Sequence, residues 1–95
     1  MNPNKPLISL RKDELPLLPP VPWGRYRHYK KSEHLYEVVG LALHTETLDV
    51  TVIYKRVGPA SELGEGVLWS RPYSMFMGTV EYEGKTTKRF IKVGE

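Results

Sequence analysis

The sequence predicts a mainly β domain: a small antiparallel meander of five to six strands, curled into an SH3-like, partly closed barrel. Three observations carry that expectation. All ten aromatic residues fall between Trp23 and Phe90. The same span is rich in valine and threonine, broken at short intervals by turn residues, which is the composition of strands. No window of helical periodicity exceeds two turns. A chain of 95 residues hides only about 60–65% of the surface that its unfolded form exposes, so it supports one thin core. Barrel closure is expected because it removes sheet edges that so short a chain cannot otherwise protect, with a twisted open sheet as the alternative.

Residues 1–21 are expected to form a proline-rich arm and residues 22–95 the domain. Pro3, Pro6, Pro16, Pro19, Pro20 and Pro22 crowd into the first 22 residues. Proline fixes its own backbone angle, lacks a donor and restrains its predecessor, so Leu15-Pro-Leu-Leu-Pro-Pro-Val-Pro22 reads as extended polyproline-like chain. A first strand is expected at 24–30, followed by a turn at 31–34. Residues 35–44 make the clearest element. There Leu35, Val39, Leu41 and Leu43 share one parity, interrupted by Glu37, and are expected to face the core. The opposite parity, Tyr36, Val38, Gly40, Ala42 and His44, places small residues between large polar-tipped ones and is expected to leave a shallow outer groove. A connection at 45–48 leads to a third strand at 49–56, and the pair should form a hairpin in which His44 caps the turn. Residues 58–66 read as a flexible loop, and 67–71 as a fourth strand ended by Pro72. The next residues are expected to make one tight turn that plugs Met75 and Phe76 against the barrel end. Strands at 78–82 and 86–93 then form a hairpin around Glu83-Gly84-Lys85.

Charge is unevenly spread although the net value is only +3. Arg25, Arg27, Lys30 and Lys31 cluster near one end, and Lys85, Lys88, Arg89 and Lys92 near the other. Between them, residues 33–83 hold eight carboxylates against Lys55, Arg56 and Arg71. If the first and last strands pair, the basic ends join into one positive stripe, which an anionic partner would feel. The absence of cysteine excludes a disulfide scaffold, a thiolate zinc site and a cysteine nucleophile, and fits a reducing, cytoplasmic setting. No apolar run approaches the roughly 20 residues that a membrane-spanning helix needs.

No catalytic signature survives inspection. There is no phosphate-binding G-x-x-x-x-G-K-[ST] loop, no G-x-S-x-G elbow, no dinucleotide fingerprint and no H-E-x-x-H helix. The H-x-E at His44–Glu46 lacks the downstream cysteines of a zinc deaminase. His28, His34 and His44 are not spaced to converge on one ion, and no histidine lies near Ser70 or Ser74 in sequence to activate either. No enzyme activity, metal or cofactor is therefore expected.

What remains is a concentration of rings and cations. Aromatic and guanidinium planes offer stacking and charge to planar or anionic ligands, as small barrel domains do for nucleobases and single strands. The expected function is a binding module for single-stranded nucleic acid or a nucleotide-like anion, carried by Tyr26, Arg27, His28, Lys30, Tyr36, His44 and Arg71. In that set arginine and lysine pair anions, tyrosine stacks, and a histidine donates a hydrogen bond. The competing expectation is a protein-interaction adaptor that uses a barrel edge or the P-x-x-P spacings of the arm. Convergence of Arg27, Lys30 and Arg71 on one groove favours the ligand; pairing of Arg71 with Glu37 or Glu81 favours the adaptor.

Four motifs also carry a resemblance: G-R-Y-R-H-Y-K at 24–30, Y-E-V-V-G-L-A-L-H-T-E-T at 36–47, L-W-S-R-P-Y-S-M-F at 68–76 and G-K-T-T-K-R-F at 84–90. In that order and spacing they resemble the bacterial domain-of-unknown-function family numbered 1653, over residues 24–90. The resemblance implies a small, mostly β, single-domain bacterial protein and carries over no catalytic role. The proline-rich arm and a longer 58–66 loop depart from the family pattern.

Overall fold

The computed structural model describes residues 15–31, 33–58 and 67–94. The greater part of the proline-rich arm, residues 1–14, and the loop at 59–66 lie outside the described residues. Seven strands and one helical turn follow in order: β1 (Arg25–His28), β2 (Leu35–Leu43), β3 (Val50–Val57), β4 (Trp69–Pro72), α1 (Tyr73–Phe76), β5 (Thr79–Tyr82), β6 (Lys85–Lys88) and β7 (Phe90–Gly94). Five of them form one antiparallel sheet in the order β4-β3-β2-β1-β7, and β5 and β6 make a separate hairpin. The mainly β, antiparallel meander expected from the sequence is present. No ladder joins β4 to β7 among the described residues, so the sheet is open and the closure expected of a barrel is not found.

The described part of the arm, residues 15–21, and Pro22 after it have no regular pairing. Its end is nonetheless fastened to the sheet: Val21 packs against the core, and the Tyr26 hydroxyl donates to the Pro22 carbonyl at 3.0 Å. Proline's missing N–H explains why this segment contributes a side chain and an acceptor but no strand.

β2 and β3 form the expected hairpin, with one correction that reverses a face. Val38 pairs with Tyr54 and Gly40 with Ile53, so two steps along β2 match one along β3 and Val39 is the extra residue of a β-bulge. Before the bulge Tyr36 and Val38 face inward; after it Leu41 does. Val38 is 4% exposed and Val39 is 43% exposed, the opposite of the parity expected from the leucines. Simple alternation cannot run through an inserted residue. The outer groove expected at Tyr36, Val38, Gly40 and Ala42 is therefore absent. At the hairpin end, His44 Nδ1 accepts from the Glu46 and Thr47 backbone amides at 3.2 and 3.3 Å, the capping role expected of it.

The second correction concerns the last expected strand, which is two. β5 and β6 are joined by Glu83 and Gly84, with φ of 52° and 76°, the doubly left-handed pair of a type I′ turn. Arg89 then stands between the sheets. Its amide donates to the Gly78 carbonyl and its carbonyl accepts from the Tyr29 amide, each at 3.0 Å. One backbone unit thus serves both sheets, and β7 leaves the hairpin to pair with β1.

The core is largely aromatic. Tyr26, Val38, Val52, Tyr54, Phe76 and Phe90 are its buried members. Pro72 opens the helical turn without a side-chain cap, and the turn lowers Phe76 onto Phe90, the rings stacked at 4.4 Å and 12°. Tyr26 and Tyr54 meet Phe76 at 5.2 and 5.4 Å, in edge and tilted geometries that aromatic pairs favour. The expected plug is thus Phe76 alone; Met75 is exposed.

Two substitutions test this arrangement. Val38→Ala should destabilise the protein by about 1–3 kcal/mol while Val39→Ala stays within about 0.5 kcal/mol, as denaturant titration would read. Gly24→Ala should cost at least about 1–3 kcal/mol. Gly24 holds φ of +127°, and an added Cβ would lie 2.6 Å from the Gly94 carbonyl oxygen.

Candidate functional site

The inward sheet face carries a cavity of about 260 Å³ at the end marked by the β1–β2 turn. Every strand of the main sheet contributes. Alternation along β1 sends Tyr26 and His28 inward and Arg25 and Arg27 to the opposite face. His28 therefore lies beside its ladder partner Phe90, with the rings edge to face at 5.5 Å. Tyr36 of β2 and Tyr54 of β3 add two phenol rings, 5.4 Å apart. Trp69 of β4 sits opposite Tyr54 and remains 39% exposed. The turn contributes Lys31 and His34, drawn together by a hydrogen bond from the His34 amide to the Lys31 carbonyl at 2.9 Å.

Arg71 reaches in from β4. Its Nε donates to the Tyr54 hydroxyl at 3.3 Å, and its guanidinium carbon stands 5.5 Å from the centre of the Phe90 ring, within cation–π range. This side chain links the two outer strands of the open sheet, since Phe90 begins β7. None of the residues lining the cavity is acidic. Positive groups and π faces are gathered there, and among the described residues the exposed Glu33 brings a carboxylate to 3.9 Å from His34 Nε2.

His28 registers that field. Burial first, then the charges of Arg71, Arg89, His34 and Lys31, hold its pKa below the ordinary value of 6.5. Its Nδ1 also accepts from the Lys30 amide at 3.2 Å, a bond that needs the neutral ring and leaves the proton on Nε2. His28 is thereby prepared as a neutral Nε2–H donor, with charge supplied by Arg71 and Lys31. Burial raises the pKa of Tyr36 despite the opposing Arg56 guanidinium, so its hydroxyl is protonated and able to donate. Chemically the cavity can bind an anion and stack a ring. His28 and His34 are two imidazoles in one place, but no group of three metal-ligating side chains exists among the described residues.

Of the residues singled out from sequence, the structure brings His28, Tyr36 and Arg71 together in this cavity. Tyr26 is buried in the core and lines a different cavity, on the far side of Phe90. Arg27 lies on the opposite face, Lys30 is exposed beyond β1, and His44 is engaged in the hairpin turn. β1 and β7 are neighbours, but the two basic ends form no single stripe: Arg25 and Arg27 lie on one face, while Lys88 of β6 and Lys92 of β7 line the second cavity. Arg71 makes no ion pair with Glu37 or Glu81; its partners are Tyr54 and Phe90. Lys31, His34 and Phe90 were not among the candidates. Turn residues obey no periodicity, so nothing in the sequence aims Lys31 and His34 inward, and Phe90 becomes visible only once Arg89 is seen to change sheets.

An open antiparallel sheet with a cationic, ring-lined cavity on its inner face defines a small, mainly β domain. By sequence the chain belongs to the family described as protein of unknown function (DUF1653), whose pattern matches residues 24–92. A crystal structure of a member of that family from Bordetella bronchiseptica is 34% identical, with a TM-score of 0.60, covering 75% of this chain and 85% of that one. No curated protein matches the chain. No helix among the described residues is long and apolar enough to cross a membrane.

The His28 environment fixes a pH dependence. The folded protein resists a proton that the unfolded chain accepts near pH 6.5. The stabilisation from neutral His28 is thus complete above that pH and is lost as pH falls below it toward the lower folded-state value. Thermal unfolding between pH 7.5 and 5 should show the loss, and His28→Gln, which cannot titrate, should flatten that part of the curve.

Proposed function

We propose that the protein is a binding module that takes a nucleic-acid or nucleotide-like anionic ligand in the His28–Arg71 cavity. The single observation that carries this reading is the lining itself, in which Lys31, Arg71, His28 and His34 stand among Tyr36, Tyr54, Trp69 and Phe90 with no carboxylate. Charge-assisted hydrogen bonds from arginine and lysine hold an anion, His28 Nε2–H adds a neutral donor, and the partly exposed Trp69 offers a face on which a base can stack. The domain that presents it is of the SH3-like kind, a reading supported by the last strand lying beside the first and by a single helical turn ahead of the final hairpin. A protein-interaction adaptor is the second reading, favoured by the outer edges of β4 and β7, which pair with no further strand among the described residues.

Fluorescence anisotropy with a labelled mixed-sequence single strand and with a labelled adenine nucleotide, at low salt, tests the proposal. Binding of at least one probe is expected. Lys31→Ala should weaken it about tenfold, roughly 1.4 kcal/mol, with stability changed by less than about 0.5 kcal/mol because Lys31 is exposed. Arg71→Ala should weaken it further and also cost about 1–2 kcal/mol of stability through the lost Tyr54 and Phe90 contacts. No binding of either probe at about 100 μM protein, the range of weak non-specific association, would leave the adaptor reading standing.

A further inference from the structure

Resting on that reading, we infer that the cavity recognises the terminal phosphate of a single nucleotide, a phosphomonoester dianion with one base, and does not track a polynucleotide backbone. The first ground is charge density. A phosphodiester carries one negative charge and is satisfied by one or two donors, whereas a monoester carries about −1.5 to −2 at pH 7 with three strong acceptor oxygens. Four groups able to donate to it, Lys31, His34, His28 and Arg71, line one cavity of about 260 Å³. His28, Lys31 and His34 come from one stretch, the end of β1 and the turn after it, and Arg71 from β4, so it is the fold that brings the guanidinium to that turn. Burial first, and then the charges of Arg71, Arg89, His34 and Lys31, disfavour protonation of His28; those same charges favour a negative group placed among them.

The second ground is that, among the described residues, the cations of β1, β6 and β7 other than those of the cavity are directed elsewhere. A single-strand binder needs a charged groove that follows the backbone over several nucleotides. Here Arg25 and Arg27 point to the other side of the sheet. Lys88 and Lys92 belong to a second cavity whose remaining walls are Tyr26, Phe76, Met77, Phe90 and Ile91. Phe90, 3% exposed, is the partition between the two spaces. At about 260 Å³ the cavity lies just below the roughly 300–1,000 Å³ of pockets that enclose drug-sized molecules, too small for more than one nucleotide. The phosphate is placed against Lys31, His34 and the inner edge of Arg71, and the base toward Trp69, whose exposed ring stands at the β4 edge across from Tyr54.

Competition titrations on the full chain decide it, using adenosine 5′-monophosphate, adenosine 3′-monophosphate, adenosine, inorganic phosphate, and one 12-nucleotide DNA strand made with and without a 5′-terminal phosphate. The expected result is that a monophosphate binds at least tenfold more tightly than adenosine or inorganic phosphate, and that the terminal phosphate raises the affinity of the 12-mer by a similar factor. The slope of log affinity against log salt for the phosphorylated strand should then lie between about −0.7 and −1.4, as for one or two neutralised charges on a single strand. His28→Gln should retain most of the monophosphate preference, because its amide can replace Nε2–H, while His28→Leu should lose it. Equal binding of the two 12-mers, or a slope of about −3 or steeper, would overturn the terminal-phosphate assignment and leave the nucleic-acid reading intact. Failure of every probe would remove both.

Discussion

The stacked rings of Phe76 and Phe90 are the contact on which the rest of the molecule depends. The main sheet is open, and an open five-stranded sheet must cover its apolar face with something. One helical turn does so by inserting a single phenyl ring. Phe90 then faces His28, Tyr36 and Tyr54 around its edge and bears the Arg71 guanidinium. The core and the candidate site therefore share a wall, and the ring that anchors the fold also orients the polar groups beside it. Aromatic side chains bring large buried area with few rotatable bonds, which suits a chain whose total core is small.

That economy also shapes the electrostatics. Arg71 lies where a barrel would have placed backbone pairing between β4 and β7, and it is held by a phenol and a phenyl ring instead of a carboxylate. A guanidinium bound by neutral partners keeps its charge uncompensated. That charge, after burial, lowers the proton affinity of His28. A bridge between strands and a positive charge in the cavity are here supplied by the same side chain.

Much of the fold could be read from the chain, and the failures have definite causes. The β2–β3 hairpin, the His44 cap and the Glu83-Gly84 turn were legible because each depends on residues close in sequence. The faces of β2 were not, because the leucines at 35, 41 and 43 lie on both sides of an inserted residue that no local signal marks. The division of 86–93 into two strands was hidden for a similar reason: Arg89 breaks the run by serving two sheets, a long-range fact. As for the site, strand alternation could have separated Tyr26 and His28 from Arg27. The inward aim of Lys31 and His34 depends on a turn geometry that residue types alone do not specify.

The Arg71 bridge has a consequence for how the cavity can admit a guest. Two strand edges joined by a ladder separate only by cooperative loss of several backbone bonds, an event of microseconds or longer. Edges spanned by one side chain part when that side chain changes rotamer, forfeiting a neutral hydrogen bond of about 0.5–1.5 kcal/mol and a cation–π contact of similar size. Rotamer changes of accessible side chains take picoseconds to nanoseconds. A single torsion would thus open the space between the β4 and β7 edges, and the sheet beneath need not move.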